Sequence, residues 1–364
     1  MAEATQSYNV NRLIISEQAP NIFLLDNIFS SDIFGLLINL LCMFIGVLGI
    51  WANILNVIVF LKQGLDNSIN ISFFCKSVSD LFKILFIEWA NVSFNTYVDR
   101  LPMSIVFSEV YFVAGSWPSG LVCRLSLYIA VYITAERCLC ILYPLKVKTL
   151  ITPTRTKVSI AVIGIFNFAP LVPEYTSVYL SWTYHEERNA TVLGLALRSS
   201  STQTQGVSFL FHVAMVMFGL ACVIVFTSIL VVQLRRQSRW RMMNSGGNLD
   251  KTSPLSKRDR RSVAMVIVVA VALVIFYTPL ASMSIITTFV AEFYISGKYT
   301  KPFLVLWNLV YIFGMVNCSL NIIIYYKMNS RFKSTLVRLF RCSVKDTKTT
   351  PSSSSKATSV SIVD

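Results

Sequence analysis

The sequence predicts an all-α membrane protein, a seven-transmembrane helix bundle followed by a short amphipathic eighth helix. Three observations predict it. Hydrophobic side chains make up 54% of the 364 residues and charged ones only 14%, whereas soluble domains average about 25% charged. The apolar residues gather into long windows of the roughly 20 residues that a helix needs to cross hydrocarbon. The basic residues collect on one side of those windows, so the net charge of +14 reports topology and attraction to an anionic leaflet, and nucleic acid is not an expected partner.

Taken in order, the first window runs from Asp32 to Lys62 and the second from about Ile69 to Val92. The second is the weakest, because it carries Lys76, Asp80, Lys83 and Glu88. The third spans Glu109 to Arg137 around Arg124, and the fourth starts after Lys157 and continues past Glu174 toward Leu180. Arg198–Arg235, Arg261–Glu292 and Lys301–Lys327 enclose the remaining three. No window alternates as a membrane barrel strand would. With the N-terminus outside, 23 of the 32 Lys and Arg fall in inner segments, the asymmetry that fixes orientation.

The expected organisation is an extracellular N-terminus over 1–33, the bundle over 34–326, an amphipathic juxtamembrane helix over 327–342 and a disordered cytoplasmic tail over 343–364. The first residues lack a basic region before an apolar core, so a cleaved signal peptide is not expected. The 235–261 stretch, with Gly246, Gly247 and Pro254 among charges, reads as a mobile loop. Phe332, Leu336, Leu339 and Phe340 recur at helical spacing among basic residues and form the interfacial face. Cys342 follows them, placed for palmitoylation. Asn189-Ala190-Thr191 is a sequon in an outer loop.

Polar groups inside apolar helices mark function, and here they form an ordered set. Asn53 lies in the first helix, Asp80 in the second, and Glu136-Arg137-Cys138 ends the third. Pro279 follows Tyr277 in the sixth helix, and the seventh closes Asn317-Cys318-Ser319-Leu320-Asn321-Ile322-Ile323-Ile324-Tyr325. This order resembles the rhodopsin-like (class A) G-protein-coupled receptors over about residues 34–342. Cys138 stands where that family carries Tyr, and Ile322 where it carries Pro. Phe60-Leu61-Lys62-Gln63-Gly64 and Glu136-Arg137-Cys138-Leu139-Cys140 are similar to invertebrate receptors, with molluscan chemosensory and neuropeptide receptors the nearest branches.

The resemblance implies a receptor, not an enzyme, that converts binding of a chemosensory cue or neuropeptide into activation of a heterotrimeric G protein. It implies a plasma-membrane location, an arrestin-like protein and a receptor kinase as further partners, and no cofactor. It implies a resting contact of Arg137 with Asp259, for which the bland alternative is snorkelling of both to headgroups. Pro279 removes a backbone hydrogen bond and should kink the sixth helix. Tyr277 stands where many relatives have a toggle Trp.

Asp80, Ser126, Asn317 and Asn321, with Asn53 behind them, are expected to share a mid-membrane pocket, which in related receptors holds sodium. Lys76 and Lys83 lie at i−4 and i+3 from Asp80, so a lysine ammonium is expected to neutralise it and weaken sodium dependence. Packing alone is the other reading. Glu88, Ser119, Arg124, Tyr277, Trp307 and Tyr311 are the ligand-pocket candidates, against a Glu88–Arg124 ion pair or plain aromatic packing. Ser119 replaces the carboxylate of amine receptors, which disfavours a simple monoamine.

The family's outer disulfide is not expected here. Cys123 is fourteen residues before Arg137, about 21 Å of helix, hence near mid-membrane. The 175–205 loop has no cysteine and is expected to be mobile. A seven-helix transporter or channel is the rival function, although the chain shows no internal repeat. A retinal photoreceptor would need a lysine within the seventh helix, and none lies between Lys301 and Lys327.

Overall fold

Each of the seven windows holds a helix in the computed structural model, which describes residues 32–346 apart from 96–97, 99–100, 144, 186–188, 199–200, 245–256, 291 and 294–298. The helices are α1 (Asp32–Gln63), α2 (Ser68–Ser93), α3 (Phe107–Leu142) and α4 (Pro153–Asn167). After them come α5 (Ser201–Asn244), α6 (Lys257–Phe289), α7 (Thr300–Met328) and α8 (Ser330–Asp346). Five of them, α1, α3, α5, α6 and α7, are long and apolar enough to cross a membrane on composition alone. The charges of α2 and the 15 residues of α4 explain why those two stand apart.

Local chemistry sets the boundaries. Asn67 caps α2 by accepting the Ile69 amide at 3.1 Å, and Thr152 caps α4 ahead of Pro153, whose missing N–H costs nothing at a first turn. Gly64 leaves α1 at φ +84°, a conformation that a side chain would strain. Within α3, residues Phe112–Ser116 form a π-helical turn just before Pro118. The wider turn absorbs the hydrogen bond that proline cannot donate.

The helices close into a ring in which α1 contacts α2 and α7, α6 joins α5 to α7, and α3 touches α2, α4, α5 and α6. Phe44, Trp51, Ile165, Phe218 and Ile275 are exposed on the outside, while Asn53, Lys76, Asp80 and Arg124 are fully enclosed. That inversion suits lipid as the surrounding solvent, where polar groups must find partners inside the bundle. At Gly49 a Cβ would come within 2.7 Å of Ser319 Oγ and 2.8 Å of Ile84 Cδ1, so glycine is what lets α1 approach α7 and α2.

Three expectations need correction. The fourth helix does not continue to Leu180: it ends at Asn167, turns, and resumes only as the short helix Leu171–Ser177. Pro170 and Pro173 cannot donate to the preceding turn, which breaks the helix although the residues stay apolar. The 175–205 segment is largely a β-hairpin, β1 (Val178–His185) antiparallel to β2 (Ala190–Leu197), with Trp182 opposite Leu193. The 235–261 stretch is helical at both ends, as α5 extends to Asn244 and α6 begins at Lys257.

The hairpin is held to the bundle. Leu193 N–H donates to Ser104 O at 2.9 Å and Val106 N–H to Leu193 O at 3.1 Å. The Glu109 carboxylate on α3 accepts the Leu195 amide at 2.7 Å. A charge-assisted bond and a short backbone ladder therefore anchor this loop.

Past α7, Asn329 accepts the Phe332 amide at 3.1 Å and starts α8. Phe332 enters an aromatic cluster with Phe60, Phe73 and Tyr325, at centroid distances of 4.9–5.8 Å. Arg331 also donates to Gln63 O at 3.1 Å. The buried face of α8 is thereby fixed against α1, with Phe340 exposed on another side.

Candidate functional site

One end of the bundle holds a cavity of about 230 Å³ between α2, α3, α5, α6 and α7. Ser119, Tyr277, Trp307 and Tyr311 line it, so four of the six ligand-pocket candidates are brought together. Tyr277 fixes the floor: its hydroxyl donates to Cys123 O at 2.9 Å, tying α6 to α3. Trp307 and Tyr311 pack along α7 with their rings tilted by 44°, 5.9 Å between centroids.

Glu88 and Arg124 do not line this cavity, and they do not pair with each other. Glu88 fills the space left by Gly46 on α1, where any Cβ would overlap its carboxylate. Arg124 is enclosed between α3, α4 and α5. Its guanidinium meets His212 Nδ1 at 2.5 Å and donates to Asn167 O at 3.0 Å. A carbonyl freed where α4 ends thus takes the place of the carboxylate expected as partner. The signal was present in the sequence, since His212 is one of only two histidines.

Lys83 also lines the cavity. Its ammonium lies over the Tyr277 ring, 4.7 Å from the centroid. The sequence places it on the face of Asp80, where it reads only as a counter-charge. The helix carries it instead one turn toward the cavity.

Below the floor lies the polar network centred on Asp80. Lys76 Nζ donates to Asp80 Oδ2 at 2.9 Å and Oδ1 at 3.3 Å, and to Ser126 Oγ at 3.1 Å. Ser126 donates to Asp80 Oδ1 at 2.5 Å, and Asn321 to Oδ2 at 2.8 Å. Asn53 donates to Gly49 O at 2.9 Å and Cys318 O at 3.3 Å, behind the cluster. Asn317 is buried nearby on α7. These residues do not fit a sodium ion: the ammonium already supplies the positive charge, and both carboxylate oxygens are engaged. Ile322 keeps its amide, and α7 runs unbroken from Thr300 to Met328.

At the opposite end of α3 stand Glu136 and Arg137, both buried. Arg137 Nη2 reaches Glu136 Oε1 at 3.4 Å. Glu136 Oε2 and Arg137 Nε have no hydrogen-bond partner among the described residues. Asp259 belongs to the first turn of α6, but its side chain lies outside the described residues. The contact seen for Arg137 is therefore with its neighbour. Cys138 turns away and meets Phe226 O on α5 at 3.1 Å.

Pro279 is inside α6, and the Thr278 hydroxyl donates to Val274 O at 2.7 Å beside it. Asn189 occupies the hairpin turn at φ 47°, exposed and accepting from the Tyr184 hydroxyl. Cys342 lies on α8, with its side chain outside the described residues. The 1–31 and 347–364 segments, where the N-terminus and Ser/Thr tail were assigned, also lie outside them.

Two comparisons bear on this arrangement. The family model described as the seven-transmembrane receptor (rhodopsin family) matches residues 52–325. A Drosophila melanogaster protein named FMRFamide receptor is 23% identical over 338 residues, 90% of this chain. The chain spans 57% of the length of that relative.

Proposed function

The chain belongs to the rhodopsin family of seven-transmembrane receptors, and from that premise we propose that it is a peptide receptor signalling through a heterotrimeric G protein. The observation that carries the reading is the layout of α3. This helix walls the cavity at Ser119 and Cys123 and carries Glu136 and Arg137 at its other end. A peptide entering the cavity biases the packing of α6 through the Tyr277–Cys123 bond. The loosely held Arg137 is then released to a G protein, a two-state change whose extent is the ligand's differential affinity.

The relative named for FMRFamide favours a peptide over a chemosensory cue, and the family match leaves the transporter or channel alternative without support. The receptor lies in the plasma membrane with its N-terminus outside, in keeping with the inner excess of Lys and Arg. On this reading 1–33 is extracellular, 34–326 is the bundle, 327–342 lies along the membrane and 343–364 is a cytoplasmic tail. Asn189 carries a glycan, and Cys342 a palmitoyl chain that adds to the lipid contact of α8. Phosphorylation of the tail by a receptor kinase recruits an arrestin-like protein.

The test is G-protein activation in transfected cells challenged with a peptide library that includes FMRFamide. Wild type should respond to at least one peptide, and Arg137→Ala should bind it while losing about tenfold or more of the response, since a charge-assisted contact is removed. Loss of peptide binding with coupling intact in that variant would reverse the roles assigned to the two ends.

A further inference from the structure

We propose that the cavity takes an aromatic ligand group bearing a carboxylate, with Lys83 as the residue that holds the carboxylate. The inference rests on reading this cavity as the ligand site, and it adds the chemistry of what enters.

Lys83 is the one ammonium or guanidinium among the described lining residues, and no aspartate or glutamate lines the cavity. Asp80, Glu88 and Glu109 are committed elsewhere. Asp80, one turn away on α2, is held by Lys76, Ser126 and Asn321. Glu88 faces Gly46 on α1, and Glu109 accepts the Leu195 amide of the hairpin. What Lys83 meets is the face of Tyr277, and a ring quadrupole offsets only part of the cost of an enclosed charge.

A second cation reinforces the first. Arg124 lies behind the wall at Gly120, where a Cβ would stand 3.4 Å from Arg124 Nη1 and 3.5 Å from His212. The partners seen for Arg124 are a ring nitrogen and a carbonyl, and its Nε has none among the described residues. Among the described residues neither cation is paired with a carboxylate, so each adds an unmatched positive charge in or beside the cavity wall. A ligand amine would be repelled there, and a carboxylate would complete the missing pair.

The rest of the wall supplies the aromatic preference. Phe276, Phe303, Trp307, Tyr111 and Tyr311 surround the space above Lys83. They can stack on a ring at offset or edge geometry while the head group reaches the ammonium.

The experiment uses the purified full chain in lipid nanodiscs and three matched probes. These are 3-(indol-3-yl)propionate, its primary amide and the corresponding primary amine, with affinity read from ligand-dependent thermal stabilisation. The carboxylate should bind about tenfold or more tightly than the amide, as expected for a charge-assisted bond against a neutral one, and the amine should bind worst. Lys83→Gln should remove the advantage of the carboxylate over the amide, while Lys83→Arg should keep it.

Equal binding of the three probes, a preference for the amine, or no binding at all would overturn the proposal. So would an undiminished carboxylate preference in Lys83→Gln. The wild-type ranking decides the matter even if the variant fails to fold. No G protein is present, so a failure of the signalling reading leaves this outcome intact.

Discussion

Two buried ion pairs, one at the middle of the bundle and one at the end of α3, are built in opposite ways. Around Asp80, each carboxylate oxygen has at least two donors, and Lys76 bonds both oxygens and Ser126 as well. Around Glu136 and Arg137, one 3.4 Å contact joins sequence neighbours, with Glu136 Oε2 and Arg137 Nε left unpaired among the described residues. A buried charge network is stable when every member is satisfied and costly when one is removed. The first pair is therefore framework, holding α2, α3 and α7 in register. The second is poised, because little is lost when it rearranges and much is gained when a partner completes it.

The largest effect should come from breaking the framework. Lys76→Met leaves Asp80 enclosed without its counter-charge and should destabilise the bundle by about 3–5 kcal/mol, read as a lowered unfolding temperature in nanodiscs. Sodium should then recover part of the loss, since Ser126 and Asn321 remain as oxygen ligands beside the carboxylate. Wild type should show no such sodium response; if it does, the ammonium is not filling that role.

A smaller effect should follow at the outer loop. Glu109→Gln replaces an ionised acceptor of the Leu195 amide by a neutral one, loosening the hairpin by about 1.5–3 kcal/mol at most. Hydrogen exchange at the Leu195 amide should quicken, while the amides of α7 keep their protection. Equal acceleration throughout would mean that the hairpin and the bundle open as one unit.

The smallest effect should come from the poised pair itself. Glu136→Gln removes a long contact worth about 1 kcal/mol, which converts to a rise of roughly fivefold in basal G-protein activity with little change in unfolding temperature. If stability falls as far as in Lys76→Met, the two pairs are alike and the contrast between them fails.

Much of this was legible in the sequence because lipid makes charge placement and apolar length decisive. The windows from Asp32, Ile69 and Lys301 became α1, α2 and α7 within a few residues. The ladder of Asn53, Asp80, Arg137 and Asn321 could be read in order for the same reason. What the sequence did not yield depends on contacts between elements. Both lysines of α2 share a face with Asp80, and only the packing of α3 against α2 decides that Lys76 reaches it while Lys83 turns to Tyr277. Arg124 announced itself as a buried charge, but its partners arise where α4 breaks and α5 brings His212 inward. The hairpin was missed because the apolar run past Glu174 carries the fourth window into the first residues of Val178–His185, and the rest of the 175–205 segment reads as a loop. Its alternation, and the turn chemistry at Asn189, were the signals that identify it.

The most direct test of the whole picture is a distance measured between the ends of α3 and α6 near Arg137. Spin labels at Tyr143→Cys and Ala264→Cys, in a background with the reactive native cysteines replaced, should report a longer separation when a signalling peptide and G protein are added, and Arg137→Ala should reduce the population of the longer state. An unchanged separation while the G protein is being activated would contradict the account.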